Sequence, residues 1–279
     1  PSSTGWTTTE LTCPPQWGTP RSPERRTRGS VAANVARKMG LELMPWQRHV
    51  LDVGLEINPD TGRLAYRQVM VTLPRQNGKS QMLLILMIAR CVAYAQQQGI
   101  IYTAQDGNSA QRKFEEDYVR QLRNTAGLVE RKDFTARLSN GKERILWNQN
   151  GSIIRPMATT ETSGHGLTLD LVIIDEAFAH KDLRVEQNFA PPMLTRPEPQ
   201  IWIVSTAGTW ESLYYNAKRA AGRKAVEAGE TTRTAYFEWS AEPDDGLWDR
   251  DVWRRIHPAL GVTITDESLA FSIQQILDD

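Results

Sequence analysis

The first feature of the sequence that could do chemistry is a short loop between an apolar run and a long apolar segment. The run covers residues 69–73, and the loop after it consists of Pro74, Arg75, Gln76, Asn77, Gly78, Lys79 and Ser80. At the start of a helix, such a loop can wrap phosphates with backbone N–H groups, while Lys79 reaches the β- and γ-phosphates and the Ser80 hydroxyl ligates Mg²⁺. The G-x-x-x-x-G-K-[ST] pattern is matched except at its first glycine, which is Leu73 here. The loop therefore predicts a phosphate and Mg²⁺ site from an incomplete motif.

Two neighbouring carboxylates form the second feature. Asp175 and Glu176 follow the apolar run of residues 171–174 and so stand at the end of an expected buried strand. Open α/β sheets bind ligands at the carboxyl ends of their strands, where Asp175 would hold Mg²⁺ through water and Glu176 would orient and deprotonate an attacking water. An isolated acidic pair more often caps a turn. A phosphate loop and an acidic strand end in this order together predict nucleotide hydrolysis.

A third feature is the polar tip of another apolar run. The tip follows residues 201–204 and consists of Ser205, Thr206, Ala207, Gly208 and Thr209. Its hydroxyl groups could bond to the γ-phosphate or the attacking water and move when the phosphate leaves. Taken alone, it is an ordinary strand-to-helix turn with N-capping residues.

Upstream, Trp46 and Gln47 could recognise a base. A glutamine amide offers a donor and an acceptor together, which matches the edge of adenine, and a neighbouring aromatic ring can stack on the base. The alternative is a helix that begins at Pro45 with Trp46 buried.

The elements that must position these residues alternate between short apolar runs and helical segments. Strands are expected over residues 68–73, 100–104, 169–174, 201–205 and 232–239, and helices over 80–97, 108–125 and 213–228. Asn-Gly pairs at 140–141 and 150–151 separate three further runs, which predicts an antiparallel meander over residues 134–157. Residues 249–279 are expected to be helical in two pieces broken around 258–261. This order predicts an α/β fold with a mainly parallel sheet covered by helices on both faces.

The charge balance limits the classes of partner. The chain has 279 residues with 33 basic and 33 acidic side chains, so no global field favours nucleic acid or a membrane surface. Contact with double-stranded DNA would then be weak, salt-dependent and local. Lys218, Arg219, Arg223 and Lys224 could supply such a patch on one helix, although a solvated helix face is the alternative.

The remaining composition bounds the compartment. Cys13 and Cys91 fit no metal or redox spacing, which favours a reducing compartment, and the apolar segment 82–95 is too short to span a membrane. Residues 1–20 carry no signal-peptide pattern, and residues 1–30 show neither helical nor alternating periodicity. Their cluster of Arg21, Arg25, Arg26 and Arg28 indicates a mobile or partner-dependent arm, or else a solvated leader that lies on the domain surface.

The order of these motifs resembles the ATPase domain of the large terminase subunit of tailed phages, over about residues 40–279. Family members typically replace the first loop glycine and carry an arginine in the loop, as Arg75 does here. Trp253, His257-Pro258 and Gly261 also look like a stretch found after the ATPase core of terminases. The resemblance implies a P-loop NTPase fold of the ASCE, RecA-like type, with ATP and Mg²⁺ as cofactors.

The resemblance also assigns roles. It makes Lys79 and Ser80 the phosphate and Mg²⁺ ligands, Asp175 the Walker B acid and Glu176 the catalytic base. It makes Arg75 a cis sensor or stabiliser of the γ-phosphate, Gln47 the adenine-sensing glutamine, and residues 205–209 the motif that couples hydrolysis to DNA movement. Rings in this family often take a second arginine from a neighbouring subunit, just before the Walker B strand. The sequence has His165 there, so Arg112, Arg144 and Arg155 are candidates for this trans finger.

At the level of the whole molecule, the resemblance implies a motor that moves double-stranded DNA into a procapsid. It implies a homo-oligomeric ring on the portal protein, a small terminase subunit as partner, and the cytoplasm of an infected bacterium as location. The chain would divide into a basic arm (residues 1–35), an ATPase core (36–209) and a lid or linker subdomain (210–279). The nuclease domain of full-length large subunits is expected to be missing from this chain, so no DNA cleavage is expected.

Two other readings share some of these motifs. A helicase-like translocase would need a second RecA-like lobe, and no second series of strands and helices follows residue 210. A nucleotide-binding assembly module would bind ATP without turnover, which the acidic pair Asp175-Glu176 argues against.

Overall fold

The structure, a computed structural model, describes residues 11–139, 141–158, 166–180, 184–230 and 232–278. The strands are β1 (Trp17–Gly18), β2 (Gln68–Thr72), β3 (Gly99–Thr103), β4 (Phe134–Arg137), β5 (Arg144–Trp147), β6 (Ser152–Pro156), β7 (Leu171–Asp175), β8 (Gln200–Ser205) and β9 (Thr234–Glu238). The α-helices are α1 (Gly29–Lys38), α2 (Pro45–Gly54), α3 (Lys79–Ala93), α4 (Gly107–Lys113), α5 (Arg120–Arg123), α6 (Arg184–Met193), α7 (Leu213–Glu227), α8 (Arg250–Ile256) and α9 (Asp266–Asp278). A π-helical segment, Phe114–Val119, joins α4 to α5, and a 3₁₀ turn, Ala177–Ala179, follows β7.

All nine strands of the described chain lie in one sheet, in the order β1-β9-β2-β8-β7-β3-β6-β5-β4. The neighbours from β9 to β6 pair in parallel, whereas β1 with β9, β5 with β6 and β4 with β5 pair antiparallel. The mainly parallel sheet is confirmed, and the meander β4–β6 extends one of its edges. Strand β8 lies between β2 and β7, so the carboxyl ends of these three strands are neighbours.

The sheet is buried on both faces because successive side chains of its central strands point in opposite directions. In β7, Leu171 and Ile173 join the core that includes α1, α2 and α3, while Val172 and Ile174 join the core that includes α6 and α7. Burying one such side chain contributes about 1.5–3 kcal/mol. The continuous apolar run of β7 is therefore what holds the following acidic pair in a fixed place. Within the described residues, every helix is too short or too polar to cross a membrane.

The prediction that residues from 210 onward form a separate subdomain is wrong for β9. This strand pairs in parallel with β2, from Gln68 opposite Thr234 to Thr72 opposite Glu238, and so belongs to the main sheet. Its residues Thr-Ala-Tyr-Phe-Glu are almost all buried, and two buried faces need a position inside a sheet. The lid or linker interpretation of the other elements after residue 210 stays a prediction.

The N-terminal residues that the structure describes lie on the domain surface rather than forming a mobile arm. Strand β1 pairs with β9. Arg21 and Arg25 form ion pairs with the fully buried Glu56, at 2.7 and 3.2 Å, and Arg28 pairs with Glu198 at 2.9 Å. The arginines are held because each has an acidic partner on the core, which matches the surface-leader alternative.

Most of the basic patch on α7 is used within the molecule. Lys218 pairs with Glu186 at 2.7 Å, and both Arg219 and Arg223 reach Glu238 at 2.7 Å. These pairs leave little of the patch for DNA. They also show that this face of α7 is not merely solvated, because its charged side chains bind the helix to Glu186 and Glu238.

Glu238 is the fully buried centre of this cluster. Burial alone would raise its pKa, but hydrogen bonds from Arg223, Ser240, Tyr236 and Arg219 outweigh that effect and lower the pKa to about 2. The carboxylate is therefore ionised at neutral pH, and its arginine partners balance a buried charge.

Replacing Arg223 by alanine is expected to lower the free energy of unfolding by about 2–3 kcal/mol, because it removes one partner of a buried carboxylate. The same substitution also removes the contact of the guanidinium with the Trp17 ring, 3.5 Å away. Lys224→Ala, on the neighbouring exposed position, is the matched control and should change stability by less than about 0.5 kcal/mol. Chemical unfolding of both variants measures the difference, and equal effects would contradict the structural role given to Arg223.

Candidate functional site

Three chain segments meet at the carboxyl edge of the sheet: the loop after β2, the acidic pair at the end of β7, and the tip of β8. Thr72 lies opposite Ser205, and Val204 lies opposite Asp175. The N–H of Leu73 donates to the carbonyl of Ser205 at 3.1 Å. The sheet register therefore brings together three of the features singled out in the sequence.

The loop is compact although its first glycine is missing. Leu73 is fully buried and continues the hydrogen bonding of β2, so a side chain at this position packs into the core. The turn is made later, at Gln76 and Gly78, which have φ angles of 62° and 85°. A Cβ at Gly78 would lie 2.7 Å from the Gln47 amide nitrogen, so glycine is required there for space as well as for conformation.

Lys79 opens α3 and lies buried behind the loop. Its ammonium group donates to the carbonyls of Leu73 and Pro74 at 3.2 and 3.1 Å. Burial lowers the pKa of Lys79 to about 8, against the opposite effect of Glu176 and Asp175. The ammonium is thus held by weak carbonyl partners at the helix N-terminus, where a phosphate is a better partner. The Ser80 hydroxyl follows at a half-buried position.

Asp175 is fully buried and bound on both oxygens. Its Oδ2 accepts hydrogen bonds from the Tyr102 hydroxyl at 2.8 Å and from the Lys113 ammonium at 2.6 Å, and its Oδ1 accepts from the Glu176 N–H at 3.0 Å. Sequence reasoning missed Tyr102 and Lys113. Tyr102 lies on β3 and Lys113 on the helix that follows it, and β3 is the neighbour of β7 in the sheet. Finding these two residues would have required knowledge of the strand order.

Glu176 has an uncommon backbone and an unsatisfied side-chain atom. Its φ and ψ are 54° and 46°, a left-handed conformation that costs energy for any residue except glycine. Its Oε2 is buried and has no hydrogen-bond partner among the described residues. A buried carboxylate oxygen without a partner is costly, which points to a ligand or water as its partner in function.

The residues present fit a Mg²⁺ ion that is shared with phosphates. Ser80 and Asp175 offer oxygen ligands, and Glu176, which has an unsatisfied oxygen, follows Asp175 directly in the chain. No group of three or more His, Cys, Asp or Glu that could hold a metal occurs in the described residues. Mg²⁺ is usually bound by one or two protein oxygens together with substrate phosphates and water, and Ser80 and Asp175 could supply such oxygens.

The tip of β8 contacts the segment that follows the acidic pair. The buried Ser205 hydroxyl accepts a hydrogen bond from the Phe178 N–H at 3.0 Å. Thr206 is also buried, whereas Ala207 and Thr209 are exposed, and a Cβ at Gly208 would lie 2.4 Å from the Ser212 hydroxyl. The tip thus joins β7 to the start of α7.

The predicted stacking of Trp46 on a base is wrong. Trp46 is 1% exposed and packs edge-on against Trp239, with ring centroids 5.7 Å apart. The helix α2 begins at Pro45, and this start directs Trp46 into the core, as the alternative reading held.

The Gln47 amide is bound to the chain itself. Its nitrogen donates to the carbonyl of Gly78 at 2.8 Å, and its oxygen accepts from the Met44 N–H at 2.8 Å. Gln47 therefore supports the phosphate loop, and its role towards adenine stays a prediction.

The structure gives the positions of the arginines proposed to contact the nucleotide, but it does not identify which of them acts between subunits. Arg75, Arg112 and Arg144 are exposed. Arg155 is half-buried, and burial together with the charge of Arg144 lowers its pKa. His165 lies outside the described residues.

A link between the loop and the C-terminal region was not predicted. The buried Asn77 donates through Nδ2 to the carbonyls of Pro74 and Arg75, at 3.2 and 2.9 Å, and the same nitrogen lies 3.2 Å from His257 Nδ1. Its Oδ1 accepts from the Ala259 N–H at 3.0 Å. An unprotonated His257 Nδ1 would accept a hydrogen bond from this nitrogen, whose two protons also face the two carbonyls.

Stability is expected to fall in acid through His257. Burial lowers its folded-state pKa to about 4, from 6.5. Between these values the unfolded chain binds a proton that the folded chain does not, so the free energy of unfolding decreases as pH falls from 6.5 to 4. His257→Asn, which keeps an acceptor for Asn77, should reduce the loss between pH 7 and pH 5 by about 2 kcal/mol. Chemical unfolding at both pH values measures this, and an unchanged loss would disprove it.

Comparison with known proteins adds a family and a fold. A family described as the terminase large subunit ATPase domain matches residues 45–223. No curated protein matches the chain. The crystal structure of the HK97 bacteriophage large terminase superposes with a TM-score of 0.74 at 17% identity, over 91% of this chain and 52% of that one. The Thermus phage P74-26 large terminase ATPase domain gives 0.49 at 18% identity, over 78% and 86%. The chain therefore spans about half the length of the HK97 protein.

Proposed function

The chain belongs to the terminase large subunit ATPase domain family, and from this membership we propose that it hydrolyses ATP to drive double-stranded DNA into a viral procapsid. The observation that carries the proposal is the meeting of the phosphate loop, the acidic pair and the β8 tip at one edge of the sheet. ATP and Mg²⁺ are the cofactors that these residues suit.

In this proposal, Lys79 leaves the carbonyls of Leu73 and Pro74 and binds the β- and γ-phosphates at the N-terminus of α3. Ser80 and Asp175 hold Mg²⁺, which supplies neutralisation of the phosphate charge when it is bound. Glu176 orients water and takes its proton. It follows Asp175 directly, and its buried oxygen Oε2 has no hydrogen-bond partner among the described residues. Arg75, exposed on the loop, stabilises the γ-phosphate.

Coupling to movement would pass through Ser205. Its hydroxyl accepts a hydrogen bond from the N–H of Phe178, two residues after Glu176, and its carbonyl accepts one from the N–H of Leu73, directly before the phosphate loop. A change at the γ-phosphate therefore reaches the tip of residues 205–209 from two sides, and α7 starts directly after it. This supports the tip as the coupling motif.

The partners follow from the family alone. We propose a homo-oligomeric ring on the portal protein, served by a small terminase subunit, in the cytoplasm of an infected bacterium. One of Arg112, Arg144 and Arg155 would be donated between subunits. Because the α7 charges are paired within the molecule, contact with DNA should be weak and should lie mainly elsewhere.

Steady-state ATP turnover with Mg²⁺ over a series of protein concentrations tests the proposal. Turnover per subunit that rises with concentration supports hydrolysis completed by a neighbouring subunit. Binding of ATP without turnover at every concentration, with portal and DNA present, would instead identify an assembly module. No binding of ATP at all would refute the proposed function.

A further inference from the structure

We propose that Lys113 is an internal counter-ion of Asp175 that competes with Mg²⁺ for this carboxylate and is displaced when a Mg²⁺–nucleotide complex binds. The inference rests on the proposed function, because it concerns the metal-associated acid of the same site. Lys113 would be a positioning residue that acts through Asp175, and it would set the Mg²⁺ concentration at which the site becomes half-saturated.

Asp175 requires a counter-ion wherever it has no metal. The residue is fully buried, and an ionised carboxylate in such a position is strongly destabilising unless it is paired. Tyr102 donates one neutral hydrogen bond to Oδ2, and the Glu176 N–H donates one to Oδ1. In the described residues, the Lys113 ammonium, 2.6 Å from Oδ2, is the single cation paired with Asp175. The positive charge at the metal-associated acid is thus supplied by the protein itself.

Lys113 is also placed so that it can leave. Its side chain is 22% exposed while that of Asp175 is 0% exposed, so the ammonium reaches the carboxylate from the solvent side. A lysine stem is flexible and carries a compact charge, unlike an arginine fork. Lys113 is the last residue of α4, directly before the π-helical segment Phe114–Val119. Segments of this kind are frequent at functional sites.

The local charges favour an exchange. Lys113 lies close enough to Lys79 for its charge to disfavour the protonated form of that lysine, so both belong to one electrostatic site. Mg²⁺ held by Asp175 through water would still lie close to the Lys113 ammonium, and two cations so close together in a buried site repel each other strongly. The ammonium must then move away, towards the negative charge that the nucleotide brings. Exchange of this kind makes Mg²⁺ affinity weaker than Asp175 alone would allow.

A Mg²⁺ titration at a fixed, saturating concentration of a non-hydrolysable ATP analogue tests the inference, with the melting temperature as readout. Lys113→Met should lower the half-saturating Mg²⁺ concentration by about three- to tenfold, because the competitor is gone. Lys113→Arg keeps the charge and should shift the midpoint much less. Lys132→Met, at an exposed lysine next to β4, is the matched control and should leave the midpoint unchanged.

A merely structural ion pair would lower the melting temperature of the Lys113→Met variant without Mg²⁺ but would not move the Mg²⁺ midpoint. An unchanged or higher midpoint would therefore overturn the inference. If the methionine variant does not fold, Lys113→Gln, which keeps a hydrogen-bond donor for Asp175, takes its place with the same expectation. Calorimetric binding of the analogue to the wild-type chain in excess Mg²⁺ separates the two proposals: binding with equal midpoints refutes only the role of Lys113, whereas no binding refutes the proposed function and the inference together.

Discussion

Replacing Glu176 by glutamine is expected to lower steady-state ATP turnover by about 10²–10⁴-fold, the usual contribution of a general base. Glutamine keeps the size of the side chain and its contacts but cannot accept a proton. The carboxylate oxygen Oε2, which has no partner among the described residues, is the atom whose loss should matter. Binding of ATP should persist, because the phosphate loop and Lys79 are untouched.

The measurement is a comparison of turnover and nucleotide affinity for this variant and the wild type at equal protein concentration. Glu230→Gln, an exposed carboxylate on the turn between α7 and β9, is the matched control and should turn over like the wild type. Turnover retained within a factor of about ten in Glu176→Gln would show that another group takes the proton.

The second large effect is expected at Lys79, where methionine should weaken ATP binding by about 10²-fold or more. The ammonium would make charge-assisted hydrogen bonds to phosphate oxygens, each contributing about 1.5–3 kcal/mol. Methionine fills the buried space behind the loop, so the fold should survive. Turnover should fall together with binding, unlike in Glu176→Gln.

Isothermal titration calorimetry with ATP and excess Mg²⁺ measures this loss, with Lys132→Met as the control. If affinity is unchanged while turnover is lost, Lys79 acts on the transition state only and the assigned binding role is incorrect. Circular dichroism of the variant excludes unfolding as the cause.

The central fold was predictable because its strands are continuous apolar runs bounded by turn residues. Residues 171–174 and 201–204 show this pattern, and both form buried central strands. The place of β9 was not predictable from its own residues, since strand pairing joins positions far apart in the chain. Thr234 lies opposite Gln68, and no local pattern indicates that neighbour.

For the site, the local motifs identified the loop and the acidic pair, and the structure places them side by side. The interactions that sequence reasoning missed all come from distant segments: Lys113 on Asp175, and His257 and Ala259 on Asn77. Trp46 was misjudged for the same reason. Whether a tryptophan packs in a core or covers a ligand depends on what faces it, and here that residue is Trp239, far along the sequence.

The hydrogen bond from the Ala259 N–H to Asn77 has a mechanical consequence. Besides the hydrogen bond from Gln47 to Gly78, the phosphate loop has two attachments, to β8 through the preceding Leu73 and to the turn between α8 and α9 through Asn77. The first attachment lies within a wide sheet that resists deformation, while the second leads to a short turn and to α9, which buries none of its residues. When the loop shifts around a phosphate, we therefore expect its two attachments to move by different amounts. The turn between α8 and α9 should be displaced more than the sheet.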